Sequence, residues 1–248
     1  WSPRVSDHEL AARLATAAGE LLLKVRQEFA DATPDERKAA GDKHSHDFLM
    51  AALEAERPGD AVLSEEGVDN PVRLSAERVW IVDPLDGTRE FSELGREDWA
   101  VHVALWQAGE LVAGAVALPA QGVTLATPTV AAPPPAPATP RIVVSRTRPP
   151  AIALAVRDAL AGELVEMGSA GAKVASVVQG LSDVYVHAGG QYEWDSAAPV
   201  AVARAAGLHT SRIDGSPLVY NQADSKLPDL IVCRPEYAEA VLNATRPA

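Results

Sequence analysis

Apolar residues recur at three- and four-residue spacing through Leu10, Leu14, Ala17, Ala18, Leu21, Leu22 and Val25, behind Ser6 and Asp7. That pattern predicts an amphipathic helix over residues 7–29. Residues 31–41 are charged and carry Pro34, which reads as a loop; Asp42 then opens a second helix through Phe48, Leu49, Ala52 and Leu53, ending near Pro58-Gly59. Residues 60–64 form a short strand that delivers Glu65-Glu66, and residues 78–82 form another, which Pro84 ends because proline offers no N–H to a sheet ladder. Period two sets in over 99–106, with Val101, Val103 and Leu105 on one face; a turn at Gly109 and a return strand over 111–118 complete a hairpin, and 123–126 is a further strand.

Residues 127–140 read TPTVAAPPPAPATP, a stiff, extended connector that either joins two lobes or loops out between strands. Beyond it, strands over 142–145, 164–167, 183–186 and 230–232 alternate with helices over 150–160, 169–178, 195–206 and 236–244. Such alternation implies layered α/β packing. The expected organisation is an N-terminal α+β lobe (1–126), the connector (127–140) and a C-terminal α/β lobe (141–248).

Composition narrows the possible functions. A chain of 248 residues, 47% hydrophobic, can bury a substantial core. The net charge of -12, from 22 Lys+Arg against 34 Asp+Glu, argues against a nucleic-acid polymer as partner, since phosphate backbones select basic faces. A small anionic substrate stays compatible, because metal ions reverse the local field of an acidic site. One cysteine, Cys233, rules out an intrachain disulfide and a cysteine zinc cage, and fits a reducing, cytoplasmic location. No apolar run approaches the length of a transmembrane helix. The start, Trp1-Ser2-Pro3, has neither Met nor a signal-peptide pattern, so the sequence reads as a trimmed chain.

The candidate chemistry is carboxylate chemistry. A buried strand runs into Asp83-Pro84-Leu85-Asp86-Gly87, where a turn lets the Asp83 and Asp86 carboxylates converge with the Leu85 carbonyl between them. Hard oxygen ligands in this number suit magnesium; taken alone, the motif also fits an ordinary Asx turn. Glu65-Glu66 at a strand end fits a solvated surface as well as a site, and Asp195 and Asp42 fit helix N-caps as well as ligands. His44 and His46 read as surface residues, and His102 as a satisfied sheet residue. Gly168–Lys173 offers a helix N-terminus opened by Ser169 but does not meet the P-loop pattern; Lys173 is open between a second phosphate and solvent.

Three segments in order, Ser64-Glu65-Glu66, Trp80-Ile-Val-Asp-Pro-Leu-Asp-Gly-Thr88 and Glu193-Trp-Asp-Ser-Ala-Ala-Pro199, resemble the inositol monophosphatase superfamily of lithium-sensitive, magnesium-dependent phosphatases. The likeness spans nearly the whole chain. Within the superfamily, Asp-Gly-Thr-Arg-Glu-Phe (86–91) and Glu-Trp-Asp (193–195) are similar to the 3'(2'),5'-bisphosphate nucleotidases of the CysQ type, whereas inositol monophosphatases tend toward Thr-Thr-Asn-Phe after the Asp-Gly.

The resemblance implies an α-β-α-β-α sandwich of mixed and antiparallel sheets with flanking helices. It implies two or three Mg2+ ions held by Glu65, Asp83, the Leu85 carbonyl, Asp86 and Asp195. Thr88, with Asp42 and Glu65, would activate the attacking water; Asp86, Gly87, Thr88, Ser169, Glu193 and Asp195 would line the substrate, Glu193 facing the leaving alcohol. The expected reaction removes the 3'-phosphate from 3'-phosphoadenosine 5'-phosphate or its phosphosulfate form, in sulfur assimilation, by a homodimer. The alternatives are an inositol-1-phosphate or fructose-1,6-bisphosphate phosphatase, and a metal-binding regulatory protein without turnover. The run Lys38-Ala-Ala-Gly-Asp42 departs from the family's Ser-Pro-Val-Thr before Ala-Asp, so neither Lys38 nor Lys43 receives a role.

Overall fold

Helix α1 (Asp7–Glu28) forms as its pattern predicts, with the Ser6 hydroxyl accepting the Glu9 N–H at its start. Helix α2 begins earlier than expected. Thr33 and Glu36 form a reciprocal capping box and Pro34 takes the first helical position, so the charged run is helical and α2 spans Pro34–Glu56. Asp42 therefore sits inside a helix rather than capping one. The computed structural model describes residues 4–246; the start Trp1-Ser2-Pro3 lies outside the described residues.

The first sheet holds β1 (Ala61–Ser64), β2 (Arg78–Asp86), β3 (Ala100–Gln107), β4 (Glu110–Leu118) and β5 (Val123–Ala126), in that order, with a short helix α3 (Thr88–Ser92) between β2 and β3. Strands β1 and β2 are parallel and the remaining neighbours antiparallel. Residues 127–140, which follow, carry no helix or strand and lead to β6. The second sheet is ordered β7-β6-β8-β10-β9, from β6 (Arg141–Ser145), β7 (Glu163–Met167), β8 (Val184–Ala188), β9 (His209–Ser211) and β10 (Asp229–Cys233). Its helices are α4 (Ala151–Leu160), α5 (Ala170–Val178), α6 (Glu193–Ala205) and α7 (Ala238–Thr245).

Alternation along the strands sorts these elements into five layers. On β2, Trp80 and Val82 pack with Leu10, Leu14, Leu22, Leu49 and Leu53 of α1 and α2. Val79 and Ile81 face the other way, into a cluster with Val174 and Val177 of α5, Ala197 and Val200 of α6, and Tyr185 and Val232 of the second sheet. Ile142, Val144, Val186 and Ile231 turn outward onto Ala153 and Val156 of α4 and Val241 of α7. The result is an α-β-α-β-α sandwich in which α5 and α6 lie between the sheets. Fully buried Asp183 is held by Arg141 and Arg234 (Nε to carboxylate 3.1 and 2.8 Å), linking β6, β8 and the end of β10. Among the described residues no helix is long and apolar enough to cross a membrane.

Candidate metal centre and active site

Pro84 does not end β2. Asp83 pairs with His102 and Asp86 with Ala100, so three steps on β2 oppose two on β3. That extra residue is a bulge, which tolerates proline and re-aims side chains. On a regular strand residues three apart face opposite ways; the bulge turns Asp83 and Asp86 to one side. Strand β1 stops pairing at Val82, so no ladder needs the missing N–H. From α2, the Ser45 hydroxyl donates to the Pro84 carbonyl (2.6 Å) and pins the bulge.

Asp195 reaches the same place from α6. The helix begins at Glu193, so Asp195 is its third residue rather than its cap, and one carboxylate oxygen accepts the Tyr192 N–H at 2.8 Å. One carboxylate oxygen from each of Asp83, Asp86 and Asp195 lies within 4.8 Å of the others. Glu65, exposed on the turn after β1, lies against Asp83 closely enough to share a hydrogen bond with it when one of the two is protonated.

The electrostatics are those of a cluster short of positive charge. Burial, then Glu65, Asp86 and Asp195, push the Asp83 carboxyl well above the usual range, and its Oδ2 is buried without a partner. Burial and then Asp86 raise Asp195 to about 7; burial, Glu66 and Glu65 raise Asp42 to about 7. Glu65, though exposed as a residue, has its carboxyl raised by partial desolvation against the cluster and by Asp86 and Glu66, while the hydrogen bond with Asp83 pulls it back. Asp86 is the exception. Burial pushes it up, but His102, the Ser169 hydroxyl and the Gly171 N–H (2.7 Å) hold it below the usual range.

An all-oxygen donor set, an orphaned buried carboxylate oxygen and mutual repulsion between acids fit a hard divalent cation. Asp83, Asp86 and Asp195 could hold it, with Glu65 against Asp83.

The remaining expected site residues fall into two groups. Ser169 caps α5 with φ +63°, a conformation few non-glycine residues adopt; it donates to Asp86 and accepts the Ala172 N–H at 3.0 Å, so it stands inside the cluster. Gly87, also at positive φ, turns β2 into α3, and Thr88 is the first residue of that helix. Asp42 faces Glu65 and Glu66 from α2 with Oδ1 buried and unpartnered; no hydrogen bond joins it to Thr88. Glu193 is not brought into the cluster. It is buried at 1% exposure, and its two oxygens accept the N–H groups of Asn221 (2.5 Å) and Gln222 (3.0 Å), so it organises the 221–222 turn.

Four residues were invisible or misread in the sequence. His102 is fully buried, with Nδ1 against the Trp194 carbonyl (2.9 Å) and Nε2 toward Asp86 (3.4 Å); its place in the pattern, a polar residue between Val101 and Val103 facing the inner helices, was the available signal. Lys173 is buried rather than solvated, over the Tyr185 ring. Asp98 accepts the Gly168 N–H at 2.7 Å, fastening the turn before Ser169. His46 is half-buried near Ser64 (3.4 Å) rather than free on the surface.

Gly171 lets α5 approach this closely. A Cβ there would lie 1.9 Å from His102 Nε2, so the helix start or the imidazole would have to move. Gly171→Ala is expected to keep the fold, by circular dichroism and melting, while lowering kcat about a hundredfold, the usual penalty for an ångström-scale misplacement. An unchanged kcat would show that the Gly171–His102–Asp86 contact is not needed.

A family model described as "Inositol monophosphatase family" matches residues 6–131 and 139–247. A protein of Mycobacterium bovis named 3'-phosphoadenosine 5'-phosphate phosphatase is 56% identical over 236 residues, covering 92% of this chain and 88% of its own length. Its namesake in Mycobacterium leprae is 52% identical, covering 99% and 96%. The crystal structure of CysQ from Bacteroides thetaiotaomicron, described as a bacterial member of that family, superposes with a TM-score of 0.76 at 27% identity, covering 91% of this chain and 96% of its own.

Proposed function

The chain belongs to the inositol monophosphatase family, and on that premise we propose that it is a magnesium-dependent phosphatase removing the 3'-phosphate from 3'-phosphoadenosine 5'-phosphate. Relatives named for that reaction at 52–56% identity support the substrate, and CysQ relatives fit a part in sulfur assimilation. The single observation that carries the chemistry is the meeting of Asp83 and Asp86 from β2 with Asp195 from α6, oxygen atoms within 4.8 Å. Convergence of that kind across the sandwich is unnecessary for solubility or folding and costs stability through repulsion.

In this reading Asp83, Asp86, Asp195, Glu65 and the Leu85 carbonyl hold two or three Mg2+ ions. When bound, such ions lower the pKa of a coordinated water, neutralise charge on the leaving oxygen and clamp the phosphate. The chain's own part is positioning. Asp86, fixed by His102, Ser169 and Gly171, keeps its carboxylate ionised and in one orientation. Asp42, unpartnered and with a carboxyl pKa of about 7, can hold or release a proton near neutral pH, which suits a base working with Thr88 on the attacking water. Gly87 and Ser169 would line the phosphate. A homodimer in the cytoplasm is part of the proposal, the latter supported by a single, buried cysteine.

Phosphate release with Mg2+ should be followed on adenosine 3',5'-bisphosphate, inositol 1-phosphate and fructose 1,6-bisphosphate. The adenosine compound is expected to give the highest kcat/KM. A preference for inositol 1-phosphate beyond about a hundredfold, the scale on which one site discriminates related substrates, would reject this reading.

A further inference from the structure

The rings of Tyr192 and Trp194 lie parallel, with centroids 4.8 Å apart and planes at 6°. Trp194 packs on the apolar cluster between the sheets, and Tyr192 covers it from outside at 40% exposure. The chain has 5 Trp, 4 Tyr and 3 Phe, and among the described residues Tyr192 is the only exposed aromatic ring. Every other aromatic among the described residues is buried or half-buried, so this position departs from how they treat aromatic surface.

The pair is also joined to the carboxylate cluster on both sides. The Tyr192 N–H donates to the Asp195 carboxylate (2.8 Å), and the Trp194 carbonyl meets His102, whose far nitrogen faces Asp86. Along the helix axis the backbones of Tyr192 and Asp195 are about 5 Å apart. Between the two residues in sequence, Glu193 is buried and holds the Asn221 and Gln222 N–H groups; its own N–H donates to the Ser225 carbonyl (2.9 Å), and Tyr192 bridges to Lys226. The rings are thus fixed in place before any ligand arrives, which lowers the entropy lost on binding.

We infer that the outer face of Tyr192, backed by Trp194, is the platform on which the purine base of the nucleotide stacks while its 3'-phosphate sits at the carboxylate cluster, an inference that rests on the function proposed above. The ribose spans the short gap between them. A flat aromatic surface next to a phosphate site suits a nucleotide and offers an inositol or a sugar, which have no π face, much less. The platform therefore sets selectivity rather than chemistry.

The test compares kcat/KM for adenosine 3',5'-bisphosphate with that for glycerol 2-phosphate, which has no base, in wild type, Tyr192→Ala, Tyr192→Leu and Tyr192→Phe. Only the exposed side chain changes, and the backbone N–H to Asp195 is retained. In Tyr192→Ala the ratio of the two kcat/KM values is expected to fall about 5- to 150-fold, the range of base–aromatic stacking, through a raised KM for the nucleotide. Tyr192→Phe should keep the wild-type ratio and Tyr192→Leu should not. A ratio within about twofold of wild type in Tyr192→Ala, or full recovery with Leu, would overturn the platform while leaving the proposed function standing. A wild type with no preference for the nucleotide would overturn both.

Discussion

Asp83→Asn is expected to lower kcat by at least about a thousandfold and, in the presence of a chelator, to make the protein more stable. The two effects have opposite signs and one cause. Asp83 is fully buried, its carboxyl is pushed well above the usual range by burial and by Glu65, Asp86 and Asp195, and its Oδ2 has no partner. Asparagine keeps the shape and keeps the oxygen that accepts the Leu85 N–H at 3.1 Å. Its amide can donate to a neighbouring carboxylate at any pH, where the Asp83 carboxyl donates only while protonated and repels once ionised. Relief of this kind adds about 0.5–2 kcal/mol, in the range found when a functional compromise is removed. The same change removes a negative oxygen from the donor set that would hold the cation, and loss of one preorganised electrostatic group costs about 10²–10³ in rate even without loss of the ion. Phosphate release and urea unfolding in EDTA measure the two halves. A variant that loses activity and also loses stability would mark Asp83 as a structural residue whose catalytic effect is indirect.

The five-layer sandwich was legible through the family resemblance, and its elements through local signals that the structure explains. The alternation of Val79, Ile81 against Trp80, Val82 and the three- and four-residue spacing from Leu10 to Val25 report burial directly, and burial is what sorts the five layers. The end of β2 was legible as chemistry but not as geometry. Asp83, Asp86 and Gly87 announce a turn, yet convergence of the two carboxylates comes from a bulge, which depends on β3 pairing at His102 and Ala100 rather than on the motif itself. Asp42 was misplaced because a proline in a charged run was read as a break. Behind Thr33 and before Glu36 it is a helix start, and within the charged run Asp35 and Glu36 stay exposed while Arg37 is buried. The partners of Glu193 were not legible for a different reason. Its motif neighbour Asp195 joins the carboxylate cluster, but its own oxygens answer N–H groups of a turn 28 and 29 residues later, a pairing no local pattern contains.

Mg2+ is expected to raise the melting temperature of the chelated protein, and to raise it more at about pH 8 than at about pH 5.5. Without cations, Glu65, Asp83, Asp195 and Asp42 all have carboxyl pKa values raised in the folded state, the last two to about 7. A group whose folded pKa lies above its unfolded value favours the fold while protonated. That contribution is fully present below the unfolded value near 4 and is lost as pH rises through the folded value. The chelated protein should therefore weaken as pH climbs from about 4 to about 7, opposite to the trend for a paired acid such as Asp183, whose carboxyl is held low by Arg141 and Arg234 against the pull of burial. A cation binds the ionised cluster, so protons compete with it and its effect grows over the same window. At a hundredfold excess over the dissociation constant, binding to the folded state alone adds about 2.7 kcal/mol, or roughly 5–10 °C for a chain of this size. Calorimetry of the EDTA-treated protein with and without Mg2+ at the two pH values measures this, with Asp83→Asn as the control in which the shift should shrink. A shift of the same size at both pH values, or one that survives intact in Asp83→Asn, would place the cation somewhere other than among these carboxylates.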